Sequence, residues 1–360
     1  MKAWYITGPD RLEMRESPEP ALRPGCVVVD VLTAQCSVTE ANLVALETDP
    51  FGFLERIRAE GAVRLPAHEM VGRVTAVNAD SGFKVGDRVS TQAKVTCGVC
   101  EACRKGEWRY CQDTLLTGVE TDGLMAERVL LRESGLTLVP EALSDAEAAN
   151  LQPLGDCVCA VESLTTLKPG CKAAVWGAGC LGMNTMQILK ARGAYVMIVD
   201  IKEENLKLAK ELGADAVING RETDCVEEVR RLTDGRGADI VIDAAGGNPK
   251  KGLAGTAALQ QAAKALKPEG ECLILAIYGP SVEFPIGIFR DYGKQITMPA
   301  FTTTAHMAEA ARLIAEKKIQ VEPMITHRFH GIEHVPEMLK VTGNKTSVKS
   351  LNPAQVVIGE

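Results

Sequence analysis

The chain has 360 residues, 46% of them hydrophobic and 24% charged, with a net charge of −7 at pH 7. That length exceeds what one hydrophobic core usually fills, so two domains of a globular protein are expected. The acidic balance argues against a sequence-independent nucleic-acid binder, no apolar run is long enough to span a bilayer, and the opening Met1-Lys2-Ala3-Trp4-Tyr5-Ile6-Thr7-Gly8-Pro9 breaks before a signal sequence forms, so a cytoplasmic protein without nucleic-acid or membrane partners is expected.

From about residue 25 to 150 short β-rich runs (27–32, 71–77, 88–90, 128–131) alternate with Gly, Pro and Asp punctuation, the pattern of an all-β unit. Inside it lies Cys97-Gly98-Val99-Cys100-Glu101-Ala102-Cys103, followed by Cys111, four thiols in fifteen positions. Short Cys-x-x-Cys steps let one loop turn its thiolates toward a tetrahedral zinc. Two disulfides would use the same thiols, but secreted disulfide scaffolds are usually short. The residues between the cysteines are charged or glycine, so the metal would serve as the lobe's core. Upstream, His68 is the only imidazole in the first 300 residues, and Glu69 follows it.

Near residue 155 the texture changes to helices (about 155–166, 180–192, 202–212, 225–233, 255–266) alternating with strands (172–176, 195–200, 216–218, 239–243, 271–276). This alternation predicts a parallel, doubly wound sheet. Gly177-Ala178-Gly179-Cys180-Leu181-Gly182 falls between the first of these strands and the next helix, with Asp200 ending the following strand. In that context the glycines let backbone approach a pyrophosphate that meets the helix N-terminus, and Asp200 is placed for the adenosine ribose hydroxyls. A carboxylate there repels a 2′-phosphate and favours NAD over NADP, a preference that Lys202 would soften. Ala244-Ala245-Gly246-Gly247 would lie beneath the dinucleotide, with Ala245 in contact with it. Residues 326–329 and 354–358 read as strands that rejoin the first unit.

A cysteine-rich lobe inserted in a β-rich domain and followed by a nucleotide-binding domain resembles the zinc-containing medium-chain alcohol and polyol dehydrogenases. Pro66-Ala67-His68-Glu69-Met70-Val71-Gly72 is similar to that family's Gly-His-Glu motif, with Ala67 in place of the glycine, and Gly86-Asp87-Arg88-Val89 and Asp122-Gly123-Leu124-Met125-Ala126-Glu127 also resemble its signposts. The resemblance implies an α/β protein: a GroES-like catalytic domain over residues 1–153 and 298–360, with a zinc lobe at about 94–113, and a Rossmann NAD-binding domain over 154–297. It implies two zinc ions per chain. Cys97, Cys100, Cys103 and Cys111 would hold the structural ion, and Cys36, His68 and Glu69 the catalytic one. It further implies an NAD-dependent oxidoreductase acting on a small secondary alcohol, polyol or matching ketone, as a homodimer or homotetramer.

Three departures shape these expectations. Cys36-Ser37-Val38-Thr39 places valine where the family relays the substrate proton through a hydroxyl, which passes that role to Thr39, Glu40 or a water chain. Gln152 replaces an acidic residue, leaving the fourth metal position to water, Asp156 or Cys157. The long stretch between Cys36 and His68, with Phe51, Phe53, Leu54, Arg56, Arg58 and Arg64, reads as a solvated amphipathic helix; overhanging the site, it would shape an acidic or phosphate-bearing substrate's pocket. Two alternatives stay open: a zinc-independent relative reducing quinones or enones, disfavoured by Cys36 and His68-Glu69, and a non-catalytic cofactor-binding protein, motivated by Val38 and Gln152.

Overall fold

In the computed structural model the described residues are 1–46, 49, 51–246, 255–278, 282–299, 301–344, 351 and 353–359. They divide into two units, Met1–Gly155 with Phe301–Ala315 and Ile325–Glu360, and Asp156–Ala300 with Glu316–Met324. The expected division, 1–153 with 298–360 against 154–297, differs from this at 154–155, at 298–299 and at Glu316–Met324. The last of these segments joins the second unit through a reciprocal pair, in which Gln187 Nε2 donates to the Gln320 carbonyl (3.1 Å) and Gln320 N–H donates to Gln187 Oε1 (2.9 Å).

The first unit is built on antiparallel sheets. Its central strand, Cys26–Gln35, pairs with Glu69–Ala76, with Arg128–Arg132 and with the C-terminal strand Gln355–Val357. Eight of its ten residues are buried, all but Cys26 and Asp30, because both faces of this strand are covered. An N-terminal hairpin, Lys2–Gly8 and Arg11–Glu16, turns at Asp10 with φ of +53°. Trp4, Val29, Leu65, Met70, Leu124, Met125, Met338 and Val356 meet in one core, which anchors the backbone on either side of His68.

The stretch after Cys36 forms two helices, Val38–Ala45 and Phe53–Glu60. Phe53 is fully buried, Arg58 is exposed, and Arg56 lies over the Phe53 ring and donates to the Val119 carbonyl at 2.9 Å. Arg64 corrects the expectation of a solvated helix. It belongs instead to the strand Val63–Arg64 paired with the N-terminal hairpin, is buried, stacks over Tyr5 at 5.5 Å and pairs with Asp122 at 3.4 Å. Pairing with Lys2–Gly8 draws the backbone under the hairpin, and the guanidinium follows it.

The second unit carries the doubly wound parallel sheet expected from the helix–strand alternation. Its strands lie in the order Ala216–Asn219, Tyr195–Asp200, Lys172–Trp176, Ala238–Asp243, Leu266–Ile274, Gln295–Thr297, with every neighbouring pair parallel. The first two crossovers run out one way from Lys172–Trp176 and the later ones return on its other side. This reversal places the ends of Lys172–Trp176 and Ala238–Asp243 at the switch point where such sheets bind ligands. The preceding helix spans Leu151–Glu162, four residues earlier than expected, because Pro153 sits in its first turn, where a missing N–H costs nothing.

Candidate active site

The lobe is pinned at its base by Lys94–Val95 paired with Leu115–Leu116. Its apolar side chains point outward, with Val99 70% and Tyr110 68% exposed, so they form no core. The sulfurs of Cys97, Cys100, Cys103 and Cys111 all lie within 4.8 Å of one another, and all four thiols are free. Backbone N–H groups aim at the sulfurs: Cys97 N to Cys111 Sγ at 3.4 Å, Cys100 N to Cys97 Sγ at 3.3 Å and Cys103 N to Cys100 Sγ at 3.5 Å. The Cys97 N–H pulls the Cys111 thiol down to about 6 and the Val99 N–H lowers that of Cys97, whereas Cys100, although the Cys103 N–H lowers it, is pushed up to about 11 by burial and by the crowded thiols of Cys103, Cys97 and Cys111. Sulfurs that accept N–H donors while converging on one point are arranged as thiolates around a cation, the arrangement a structural zinc requires.

The second convergence is in the first unit. Oxygen and nitrogen atoms of Glu40, His68 and Glu69 lie within 4.8 Å of one another. Glu69 opens the strand Glu69–Ala76, and the backbone before it is held by close packing: a Cβ on Gly123 would meet the Leu65 carbonyl at 1.9 Å, so only glycine admits this approach. Glu40 arrives by a local device. Ser37-Val38-Thr39-Glu40 is a capping box, with Ser37 Oγ accepting from Glu40 N (3.4 Å) and Glu40 Oε2 accepting from Ser37 N (2.5 Å). Its other oxygen, Oε1, is buried and lies in ion-pair contact with His68 Nδ1. Such an oxygen beside an imidazole and a second carboxylate matches a set that holds a metal ion, since a carboxylate on Nδ1 fixes the tautomer that presents Nε2.

Cys36 is fully buried next to this group but outside its 4.8 Å circle, with Sγ 3.9 Å from the Pro66 carbonyl. Burial first, and then the charges of Glu40 and Glu69, push its thiol well above the usual range. Thr39, on the exposed side of the same turn, does not join the group, and Val38 is half-buried. Gln152 is buried in the first unit. Cys157 belongs to the second unit, where it donates to the Leu181 carbonyl at 3.5 Å.

In the second unit, Gly177, Gly179, Cys180, Leu181 and Gly182 form the turn into the helix Cys180–Ala191. A Cβ on Gly182 would fall 1.7 Å from the Gly177 carbonyl, which keeps helix and strand in the contact a dinucleotide cradle needs. Asp200 faces this loop: its Oδ2 accepts from Ala178 N (2.7 Å), and its Oδ1 accepts from Ile201 N (2.8 Å) and Lys202 N (2.9 Å). Ala245 follows Asp243, whose Oδ1 accepts the Ala245 N–H at 3.4 Å and whose Oδ2 accepts the Tyr278 hydroxyl at 2.6 Å. Burial raises the Asp243 carboxyl. Gly247, expected beneath the dinucleotide, lies outside the described residues.

The sequence reading missed the capping box, although its Ser-x-x-Glu spacing was visible, and with it the contact of Glu40 on His68. It also missed three buried amides around Glu69, those of Gln35, Asn150 and Gln355, which no local motif marks.

Comparisons with known proteins agree with this geometry. Residues 23–141 match the alcohol dehydrogenase GroES-like domain, and residues 180–316 match the zinc-binding dehydrogenase domain. The chain is 32% identical to the L-threonine 3-dehydrogenase of Pyrococcus horikoshii over 342 residues, covering 91% of each chain. It is 36% identical over 224 residues, 61% of each chain, to the sorbitol dehydrogenase of Bacillus subtilis. Among solved structures, the alcohol dehydrogenase of the archaeon Aeropyrum pernix superposes with a TM-score of 0.81 at 25% identity, over 99% of this chain and 100% of that one. By sequence over nearly its full length, by fold and by its two ligand-type clusters, the chain belongs to the zinc-containing medium-chain alcohol and polyol dehydrogenase family, oxidoreductases that move hydride between an alcohol or ketone and a nicotinamide cofactor.

Proposed function

We propose that this chain oxidises a secondary alcohol or polyol, or reduces the matching ketone, with NAD as hydride carrier and two zinc ions per chain. The observation that carries the reading is the buried Glu40 carboxylate set against His68 beside Glu69, with Cys36 adjoining. Cys36, His68 and Glu69 would hold the catalytic ion, and Cys97, Cys100, Cys103 and Cys111 the structural one. A zinc ion at the first set supplies a Lewis acid that lowers the pKa of an alcohol hydroxyl. The chain's own residues do the rest of the positioning. Glu40, held by the capping box, contacts Nδ1 of the imidazole and would leave Nε2 as the nitrogen free to ligate the ion. Val38 offers no hydroxyl and Thr39 lies on the exposed side of the turn, so the proton would leave through Glu40 or water. The glycine turn and helix N-terminus bind the pyrophosphate, and Asp200 takes the ribose.

The direct test is NADH formation from a panel of secondary alcohols, cyclic polyols and hydroxyacyl thioesters, with and without a zinc chelator. Chelator-sensitive turnover of at least one alcohol supports the reading; reduction of quinones or enones that survives metal removal contradicts it. Two variants probe particular residues. Asp200→Ser should weaken NAD and move the ratio of kcat/KM values toward NADP, because it removes both the ribose acceptor and the repulsion of a 2′-phosphate; an unchanged ratio places Asp200 elsewhere. Glu40→Gln should lower catalytic-zinc affinity about 10- to 100-fold and alter the pH profile of kcat, since the charge that supports the imidazole is gone. Wild-type zinc affinity and an unshifted profile would remove Glu40 from the site.

A homodimer or homotetramer in the cytoplasm completes the proposal. Among the described residues, the strand Gln295–Thr297 ends its sheet with an unpaired side and carries exposed Ile296, with Met298 beside it, an edge of the kind proteins cover. All twelve cysteines are free, which suits a reducing compartment. No helix among the described residues is long and apolar enough to cross a membrane.

A further inference from the structure

Glu69 stands at one end of a ladder of side chains that crosses three strands. Gln355 lies opposite Gln35 in the antiparallel pairing of the C-terminal strand with Cys26–Gln35, and Gln35 lies opposite Glu69 in the pairing of that strand with Glu69–Ala76. Residues directly opposite share a face, so the three side chains form one row. All three are buried, Gln35 and Gln355 completely. Gln355 Nε2 donates to Gln35 Oε1 at 2.9 Å, and Gln35 Nε2 donates to Glu69 Oε2 at 2.5 Å. Gln355 Nε2 also donates to the Ala146 carbonyl at 2.8 Å, and Gln35 Nε2 approaches Asn150 Oδ1 at 3.4 Å.

The direction of this row is fixed at both ends. A carboxylate and a main-chain carbonyl only accept, so Gln355 must turn its amide nitrogen toward Ala146 and Gln35 its nitrogen toward Glu69. Gln35 Oε1 then faces Gln355, whose nitrogen answers it. Burying amides is costly, and the arrangement leaves Gln355 Oε1 without a hydrogen-bond partner among the described residues, so its desolvation is not offset. A hydrophobic row would avoid that cost. What the amides accomplish is to clamp one oxygen of Glu69 and fix the rotation of its carboxylate beside His68.

We propose that Gln35 and Gln355 are positioning residues for the metal: the ladder Gln355–Gln35–Glu69 holds the Glu69 carboxylate in its ligating orientation, and so sets how tightly the first unit retains its ion. This rests on the reading that Glu69 is a metal ligand. Outer partners of ligands typically contribute 10- to 100-fold in metal affinity.

The two metal sites of one chain make the test internal. Zinc is titrated out of the full-length protein with a chromogenic chelator, and the two affinities are resolved for wild type, Gln35→Met and Gln355→Met, methionine being close in length and apolar. The same proteins are loaded with cobalt(II) and their visible spectra recorded. Gln35→Met should weaken one site about 10- to 100-fold and change its cobalt d–d bands, while the four-cysteine site keeps its wild-type affinity. Gln355→Met should act on the same site in the same direction, by about tenfold or less. Unchanged affinities in both variants overturn the ladder's role, and so does equal weakening of both sites, which would mean a general loss of structure. A wild-type chain that binds zinc only at its four cysteines overturns the ligand reading of Glu69 as well, and that failure is recognised before any variant is made.

Discussion

Replacing His68 with alanine is expected to reduce turnover by about 10³-fold or more while leaving folding and NADH binding intact. Polarisation by a bound metal contributes several kcal/mol to a barrier, and each 1.36 kcal/mol is tenfold in rate. His68 is the one imidazole of the group, the only member whose nitrogen suits zinc in neutral form, and the residue that both Glu40 and the backbone packing at Gly123 serve to place. Its loss leaves Glu40 and Glu69, two carboxylates in a buried space, a weaker and harder ligand set. The nucleotide cradle belongs to the other unit and keeps its own contacts. The check is a pair of measurements on one preparation: steady-state turnover of the best alcohol and the dissociation constant for NADH by fluorescence. Turnover within tenfold of wild type would mean that His68 holds no catalytic ion.

Cys103→Ser is expected to act on stability before it acts on rate. The lobe buries almost no apolar surface, so the ion is its core, and structural zinc contributes roughly 10–16 kcal/mol of binding free energy in small zinc-binding peptides. That is comparable with the whole margin, about 5–15 kcal/mol, by which folded proteins are usually stable. Three remaining thiolates should hold zinc far more weakly, and the lobe between Lys94–Val95 and Leu115–Leu116 should open to proteolysis while the second unit still binds NADH. A variant that retained full zinc content and wild-type melting while losing turnover would contradict a structural role for Cys97, Cys100, Cys103 and Cys111.

How far the sequence discloses this protein depends on how local the cause is. The parallel sheet of the second unit was readable because each strand and helix carries its own periodicity, and the glycine turn sits between two such elements. The four-cysteine lobe was readable because its ligands are close in sequence. The group around His68 was only half readable. His68-Glu69 is a short motif, and Cys36 came from resemblance, whereas the position of Glu40 depends on a capping box whose spacing is local but whose target, His68, lies 28 residues away. Gln35 and Gln355 are 320 residues apart; only the register of the C-terminal strand brings them together, and nothing in either segment announces it. Arg64 failed for the same reason. Its neighbours suggest a solvated helix, and pairing with a hairpin near residue 5 overrides them.

The central claim is that one chain holds two zinc ions with separable duties, one in catalysis and one in the lobe. Zinc per chain, measured by mass spectrometry on wild type, His68→Ala and Cys103→Ser after equal dialysis, tests it most directly. The account predicts two ions in the wild type. It predicts one in a well-folded, inactive His68→Ala, and no more than one in an unstable Cys103→Ser. A single zinc in the wild type, or two in an inactive His68→Ala, would contradict it.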